Sequence, residues 1–389
     1  MNVQLFAMPA AAYLNPTAYG DLTGGNWWVW LVSHVFFDQK FMTIFSLLFG
    51  AGIVLFAGRA EAKGESPRGL HYRRMAWLLV FGLLHAYGLW VGDILVTYAL
   101  CGMIVFPLRR MKPATLLIVG AAVIAVSSAI WLFIGWSMQF WPPDVVAELR
   151  ATDWLPPQEA IAAELAVYQG GWWTQMQRRV PDAFEFQTFV FLIWGMWRAG
   201  GLMLAGMALY KLGVVSGQRS PRFYAAMSAT GFAIGVPIIL YGVQRNVAMD
   251  WDVRYSFFLG SQWNYWGSLF VTAGWIGLVM LVAKSPVFTA LTARLAAVGR
   301  MAFTNYLLHT LICTTIFYGH GVGLFGRVPR VGQVLVVLGI WAFQLVVSRV
   351  WLRDFQFGPV EWLWRSLTYN HRQPFRRVQP SSASFGSVV

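Results

Sequence analysis

The chain has 389 residues, of which 58% are hydrophobic and only 12% are charged. Soluble domains carry about 25% charged residues, so these proportions exclude a soluble globular protein. An aromatic content of 16% excludes a disordered chain, and the two cysteines, Cys101 and Cys313, lie in apolar runs that do not indicate a disulfide framework.

The apolar runs predict an all-α, polytopic transmembrane helix bundle with about nine spans. A bilayer core of about 30 Å needs about 20 apolar residues per helix. The predicted spans are 27–57, 73–91, 94–108, 114–139, 187–210, 224–243, 264–283, 301–318 and 331–352. The first run would form about 46 Å of helix, which is too long for one crossing. We therefore expect an interfacial helix from Asn26 to Phe37 and a span that begins near Asp38.

Positive charges alternate between the two sides of the predicted bundle. The segments that hold 19 of the 29 Lys and Arg residues are 58–74, 109–113, 211–223, 284–300 and 353–389. The intervening segments hold only 7, together with 11 of the 16 acidic residues. Because cytoplasmic loops are rich in Lys and Arg, this pattern predicts a cytoplasmic C-terminus. The net charge of +13 is thus a topology signal, and we expect no nucleic-acid partner.

The predicted organisation is a single transmembrane domain, 1–370, with an extracytoplasmic insertion at 140–186. The insertion is predicted to contain a helix from Gln158 to Val180, and its residue spacing indicates no metal site. The tail 371–389 is predicted to be a disordered, basic cytoplasmic segment that touches anionic lipid.

Ionisable residues inside a membrane are costly and are functional candidates by default. His85 and Asp93 are eight residues apart, so on a continuous helix they would project from one face. A histidine with a nearby carboxylate is the minimum set for a general base and the group that orients it. The alternative is a structural hydrogen bond between helices.

Four further polar residues are candidates. Lys40 is either a cation near an anionic group or an interfacial anchor paired with Asp38. Arg198 lies deep in its span and needs a partner there. The phosphates of a bound nucleotide carrier would be a suitable partner, because they match the geometry of the planar guanidinium. Asn305 and His309 share a helical face, which predicts either a cavity lining or a ladder of hydrogen bonds between helices.

Four stretches carry a resemblance to a known family. They are KFMTIFSLLFGAG from Lys40, GLLH from Gly82 followed by GDILVTYAL from Gly92, VGRMAFTNYLL from Val298, and GPVEWLWR from Gly358. In this order they resemble the YeiB-like family of bacterial inner-membrane proteins of unknown function. That family is similar to the wider clan of membrane acyltransferases, which includes bacterial O-acetyltransferases and the lysosomal heparan-glucosaminide acetyltransferase.

The resemblance implies transfer of an acyl group from a cytosolic acyl-CoA donor, with the help of a membrane histidine, to an acceptor on the far side. His85 would be the base and Asp93 its orienting group, with Lys40 and Tyr98 as polar support. Asn305 and His309 would stabilise the thioester oxygen, and Arg198 would hold donor phosphates. The implied partners are membrane lipids, acyl-CoA as a co-substrate rather than a tightly bound cofactor, and a glycan, lipid or small-molecule acceptor.

The sequence departs from the family's pattern at the N-terminus. Members of the family open with a helix that carries Arg…Asp-x-x-Arg-Gly, whereas this chain begins at the turn after it, near Asn2. We therefore expect a tenth, N-terminal span that this chain lacks. The alternatives to an acyltransferase are a small-molecule transporter or channel, and a non-catalytic scaffold or sensor. The sequence carries no signal for an oligomeric state.

Overall fold

The computed structural model describes residues 3–377, which fold almost entirely into helices. The helices form because apolar side chains are spaced for burial on several of their faces. Pro or Gly lies at most helix boundaries, where turns join successive helices. The first ten α-helices are α1 Val3–Ala7, α2 Ala11–Leu14, α3 Gly24–Phe36, α4 Lys40–Ala62, α5 Pro67–Gly88, α6 Leu95–Val105, α7 Pro113–Ser137, α8 Pro143–Leu149, α9 Gln158–Gln169 and α10 Trp172–Glu185. The remaining seven are α11 Met196–Lys211, α12 Pro221–Ala248, α13 Ser261–Lys284, α14 Thr289–Arg300, α15 Ala302–Phe317, α16 Arg330–Asp354 and α17 Pro359–Tyr369.

Within the described residues, six helical stretches are long and apolar enough to cross a membrane. They are Gly24–Ala62, Pro113–Phe140, Trp172–Lys211, Pro221–Ala248, Arg254–Lys284 and Arg330–Asp354. The prediction of an all-α membrane bundle is confirmed. Its count of nine spans is reduced to six by these criteria, because the other three predicted spans fall on α5, α6 and α15. Of these, α6 has 11 residues and α15 has 16, while α5 carries arginines in its first turns.

The first apolar run is broken where the sequence predicts a break. Helix α3 ends at Phe36, and α4 begins at Lys40. Between them Gln39 adopts a left-handed backbone conformation with φ of 63°, which an α-helix cannot accommodate. The turn brings Asp38 and Lys40 together at the start of α4.

The insertion differs from its prediction in two ways. The predicted single helix from Gln158 to Val180 is broken at Gly170 and Gly171, whose extended backbones separate α9 from α10. In addition, α10 continues through a π-helical segment, Phe186–Gly195, directly into α11. The insertion therefore has no boundary at residue 186, because its last helix is the start of the following span.

The predicted disordered tail also begins too early. Residues 371–377 are described, and within them the ring of Phe375 packs 4.7 Å from that of Phe355 and 5.0 Å from that of Trp362. These aromatic contacts hold the chain against α16 and α17. The prediction for 378–389 lies outside the described residues.

The first described residues cover one end of the bundle. The backbone N–H of Ala10 donates to Glu164 Oε1 over 3.0 Å, and the N–H of Gly326 donates to the carbonyl of Ala7 over 2.8 Å. The Glu164 side chain is buried in this contact, and burial raises its pKa above the usual value. Helices α1 and α2 are thus tied to α9 and to the loop before α16.

Glycines allow two central helices to approach closely. A Cβ added at Gly50 on α4 would overlap the carbonyl of Met203, and one added at Gly206 on α11 would overlap the carbonyl of Leu47. Such small-residue contacts are a common basis of helix packing in membranes. This close approach brings the polar side chains of α4 next to those of α11.

We expect Gly50→Ala to lower the thermal unfolding temperature of the detergent-purified protein, because overpacking of a tight contact costs about 1–3 kcal/mol. Gly52→Ala is the matched control on the same helix, since a Cβ there meets nothing within 4 Å. Equal unfolding temperatures for the two variants would contradict the close packing of α4 on α11.

Candidate active site

A buried histidine connects a carboxylate to a hydroxyl. His85 Nδ1 lies 2.7 Å from Asp93 Oδ1, and His85 Nε2 lies 3.0 Å from Thr310 Oγ1. The three residues are 2%, 0% and 1% exposed, respectively. A carboxylate, an imidazole and a hydroxyl in this order form a proton-transfer chain, because each group can hydrogen-bond to the next.

The carboxylate reaches the imidazole through a turn, and not along one helix face as the sequence spacing suggested. Helix α5 ends at Gly88, and the N–H groups of Leu89 and Trp90 both donate to the carbonyl of His85 over 2.9 Å. The chain then turns back, so that Asp93 lies over the end of α5. The expectation of a continuous helix from His85 to Asp93 is therefore wrong, although the two side chains do meet.

Asp93 is held on both of its oxygens. Its Oδ2 accepts the N–H of Val96 over 2.9 Å, as a capping carboxylate does at the start of a helix, here α6. Its Oδ1 accepts the Tyr306 hydroxyl over 3.3 Å, in addition to the contact with His85. The Tyr306 hydroxyl also accepts the N–H of Ile94 over 3.3 Å. These contacts fix the position of the carboxylate before any substrate binds.

The proton positions follow if Asp93 is ionised and His85 is neutral. An ionised carboxylate only accepts hydrogen bonds, so Nδ1 would then carry the hydrogen and Nε2 would be left as an acceptor for the Thr310 hydroxyl. Among residues 3–377 no group of three or more His, Cys, Asp or Glu side chains is placed to hold a metal ion.

Aromatic rings cover the site. Trp90 lies edge-on to His85 with ring centres 6.4 Å apart, and Phe6 of α1 stacks on Trp90 at 4.1 Å. His309, a predicted site residue, meets the edge of Phe6 at 5.8 Å. It therefore lies in the aromatic cover, while the next residue on α15, Thr310, reaches His85.

Lys40 and Arg198 lie in a second polar cluster, between α4, α11 and α13. Lys40 Nζ donates to Asn264 Oδ1 over 2.5 Å, and Asn264 Nδ2 donates to Asp38 Oδ2 over 3.0 Å. Arg198 donates to the Ser268 hydroxyl over 2.6 Å, and its guanidinium lies over the ring of Tyr265. Both cations are fully buried. The predicted alternative of a direct Asp38–Lys40 pair takes a different form, because the amide of Asn264 bridges the two side chains.

The last two predicted residues occupy different positions. The Tyr98 hydroxyl lies 2.9 Å from the Ser46 hydroxyl, so that Tyr98 joins α6 to α4. Asn305 instead joins α15 to α16, because its amide nitrogen donates to Ser348 Oγ over 3.0 Å and to the carbonyl of Val298 over 3.1 Å. Asn305 is thus engaged in the helix-to-helix contact that was the alternative to a cavity lining.

Three residues of these clusters, Thr310, Tyr306 and Asn264, are not among those predicted from the sequence. Each has an uncharged polar side chain, so neither charge nor hydropathy marks it within an apolar helix. Thr310 and Tyr306 are four residues apart, which places them on the same face of α15, and that spacing was the available signal. The contact of Asn264 with Lys40 joins residues 224 positions apart and has no local signal.

A family model described as "Protein of unknown function (DUF418)" matches residues 209–371. "Uncharacterized protein YeiB" of Escherichia coli (strain K12) is 33% identical over 377 residues, which cover 96% of this chain and 93% of the relative. The chain belongs to the YeiB-like DUF418 family. "Uncharacterized protein YxaH" of Bacillus subtilis (strain 168) is 32% identical over 355 residues, 88% of this chain and 82% of the relative.

The resemblance noted in the sequence is thereby confirmed, while the family description assigns no reaction. No solved structure matches the chain significantly. The matched family region contains Thr310 and Tyr306 on α15, whereas His85 and Asp93 precede it. The candidate active site of this DUF418 chain is thus assembled from residues on both sides of the family-model boundary.

We expect Asp93→Ala to lower the unfolding temperature markedly, because it leaves the buried donors of His85 and Val96 without their acceptor. Each unsatisfied buried donor costs about 1–3 kcal/mol. Asp252→Ala serves as a control, since the side chain of Asp252 is exposed and accepts the N–H of Arg254. Thermal unfolding of the purified variants measures the difference, and an Asp93→Ala variant no less stable than Asp252→Ala would refute the buried contacts.

Proposed function

We propose that this protein is a transmembrane acyltransferase that moves an acyl group from an acyl-CoA-type donor to an extracytoplasmic or lipid-linked acceptor. The observation that carries the proposal is the buried chain from Asp93 through His85 to Thr310, with contacts of 2.7 and 3.0 Å. Acyl transfer to a hydroxyl or amine needs a base that removes the acceptor's proton during attack.

His85 is the base in this proposal. Its Nε2 lies within hydrogen-bond distance of the Thr310 hydroxyl, which shows that a hydroxyl group fits against this nitrogen. Asp93 holds the opposite nitrogen and stabilises the imidazolium that forms once the proton has moved, as the acid does in carboxylate–histidine–hydroxyl sites. Burial strengthens this electrostatic support, because few water molecules screen it.

The second cluster supports an anionic donor. Lys40 and Arg198 are both fully buried, and Asp38 is the carboxylate bonded into their network through Asn264. Two cations and one carboxylate leave an excess of positive charge, which is costly in a membrane unless an anion balances it. The Nε–H of Arg198 is buried without a partner among the described residues. Donor phosphates are the proposed counter-ions. In the orientation predicted from the charges α4 runs inward from Lys40, so the donor would have to extend to the outer half of the membrane.

The charge distribution supports the direction of transfer. The concentration of Lys and Arg in alternate loops and in the C-terminal segment favours a bacterial cytoplasmic membrane protein with its C-terminus in the cytoplasm. In this orientation α5 runs outward, so that His85, in its last turn, lies in the outer half of the membrane. The base would thus lie near an acceptor that approaches from outside.

The test uses native membranes containing the full chain and radiolabelled acetyl-CoA as the donor probe. We expect His85→Gln to reduce CoA release and label transfer by at least about 10²-fold, the usual contribution of a general base. His71→Gln is the matched control, since His71 is buried on the same helix and its Nε2 contacts only the carbonyl of Gly102. Full transfer by a folded His85→Gln variant would refute the assignment.

A second variant tests the role of the carboxylate. In Asp93→Asn the new amide can accept from Val96 and donate to His85 Nδ1, which forces the hydrogen of the imidazole onto Nε2. We expect a folded protein whose transfer rate falls by up to about 10⁴-fold, because Nε2 can no longer accept a proton. A transfer rate equal to that of the wild type would show that the tautomer of His85 does not matter.

A further inference from the structure

We propose that Thr310 is a nucleophile that carries the acyl group as a covalent ester between donor and acceptor. The inference rests on the proposed function and deepens it, since it makes the reaction a two-step transfer through the protein. The Thr310 hydroxyl, and not that of a bound acceptor, is the group that faces the base in this structure.

The hydrogen bonds of α15 distinguish Thr310 from its neighbours. Threonines in membrane helices commonly donate to a carbonyl of the preceding turn. Thr314 and Thr315 follow this rule, with contacts of 3.2 and 2.7 Å to the carbonyl of Leu311. Thr310 Oγ1 is 3.4 Å from the corresponding carbonyl of Tyr306 but 3.0 Å from His85 Nε2. The shorter contact of Thr310 is therefore with the base.

The surroundings of Thr310 match the requirements of an activated hydroxyl. A hydroxyl is a weak nucleophile until an adjacent base removes its proton, and the base is effective when a third group orients it. His85 supplies the base and Asp93 the orienting carboxylate, over 3.0 and 2.7 Å. Tyr306, one turn before Thr310, braces the same carboxylate with its hydroxyl.

A covalent intermediate also answers a physical difficulty of transfer across a membrane. Donor and acceptor approach from opposite sides, while the three residues of the site are almost fully buried under Trp90 and Phe6. Holding the acyl group on Thr310 allows the donor to leave before the acceptor enters. The bulky carrier and the acceptor then never need to occupy the buried site together.

The two half-reactions balance. Thr310 Oγ attacks the thioester carbonyl carbon while His85 Nε2 takes the hydroxyl proton, and the carbon–sulfur bond breaks as the thiolate leaves and takes that proton from Nε2. An acceptor hydroxyl then attacks the ester carbon, gives its proton to Nε2, and breaks the bond to Thr310 Oγ, which recovers the proton. The imidazole ends each half-reaction neutral.

The experiment incubates the purified full-length protein with radiolabelled acetyl-CoA without an added acceptor, quenches in acid and locates the label by peptide mass spectrometry. We expect the wild type to be acetylated on Thr310. The Thr310→Ser variant should be acetylated at the same position, because its side chain retains a hydroxyl. Thr310→Val, which keeps the shape but lacks the hydroxyl, should be unlabelled. Thr314→Val is the matched control on the same helix and should be labelled like the wild type.

The outcomes separate this inference from the proposed function. Label transfer in native membranes at the wild-type rate by Thr310→Val would overturn the covalent role while leaving the acyltransferase intact. Label found on His85 instead of Thr310 would do the same. No CoA release and no label transfer by the wild type, in native membranes as well as after purification, would overturn both proposals.

Discussion

The burial of charge in an apolar bundle governs this structure. A lysine, an arginine, an aspartate and a histidine lie with almost no exposed surface among helices that are otherwise apolar. Such groups are stable inside a membrane only when each finds a partner. The helices are therefore constrained to bring these side chains together, and the two polar clusters connect α4, α5, α11, α13 and α15.

Close backbone approach makes these partnerships feasible. Gly50 and Gly206 let α4 and α11 touch at their backbones, and Gly82 on α5 faces the backbone of Val96 at the start of α6. Because Val96 is also the residue whose N–H binds Asp93, the approach at Gly82 helps set the position of the carboxylate relative to His85. The geometry of the site thus depends on residues that have no side chain to contribute.

The sequence predicts those parts of the fold that have a local physical cause. Apolar runs of sufficient length give the helical bundle, and Asp38 within such a run indicates the break between α3 and α4. The pairing of His85 with Asp93 was expected for an incorrect reason, since the end of α5 at Gly88 depends on the turn that follows. The contact of Thr310 with His85 joins residues 225 positions apart, and only the packing of α15 against α5 creates it.

Buried hydroxyl groups of α4 and α6 lie near the second cluster. Arg198 Nη2 lies 3.4 Å from Thr43 Oγ1, and Ser46, one turn further along α4, lies 2.9 Å from the Tyr98 hydroxyl. Tyr98 stands on α6, the helix whose start is bound by Asp93. Hydroxyls lining one path between helices give a polar donor successive hydrogen-bond partners in an otherwise apolar interior.

In the proposed reaction, the buried cations near these hydroxyl groups would bind the phosphates of the donor. A carrier whose phosphates rest near Arg198 would have its acyl end extend along α4 toward the end of α5, where His85 and Thr310 meet. Thr43 and Ser46 also donate to the carbonyls of Gln39 and Met42, so their hydroxyl groups satisfy α4 itself when no donor is bound.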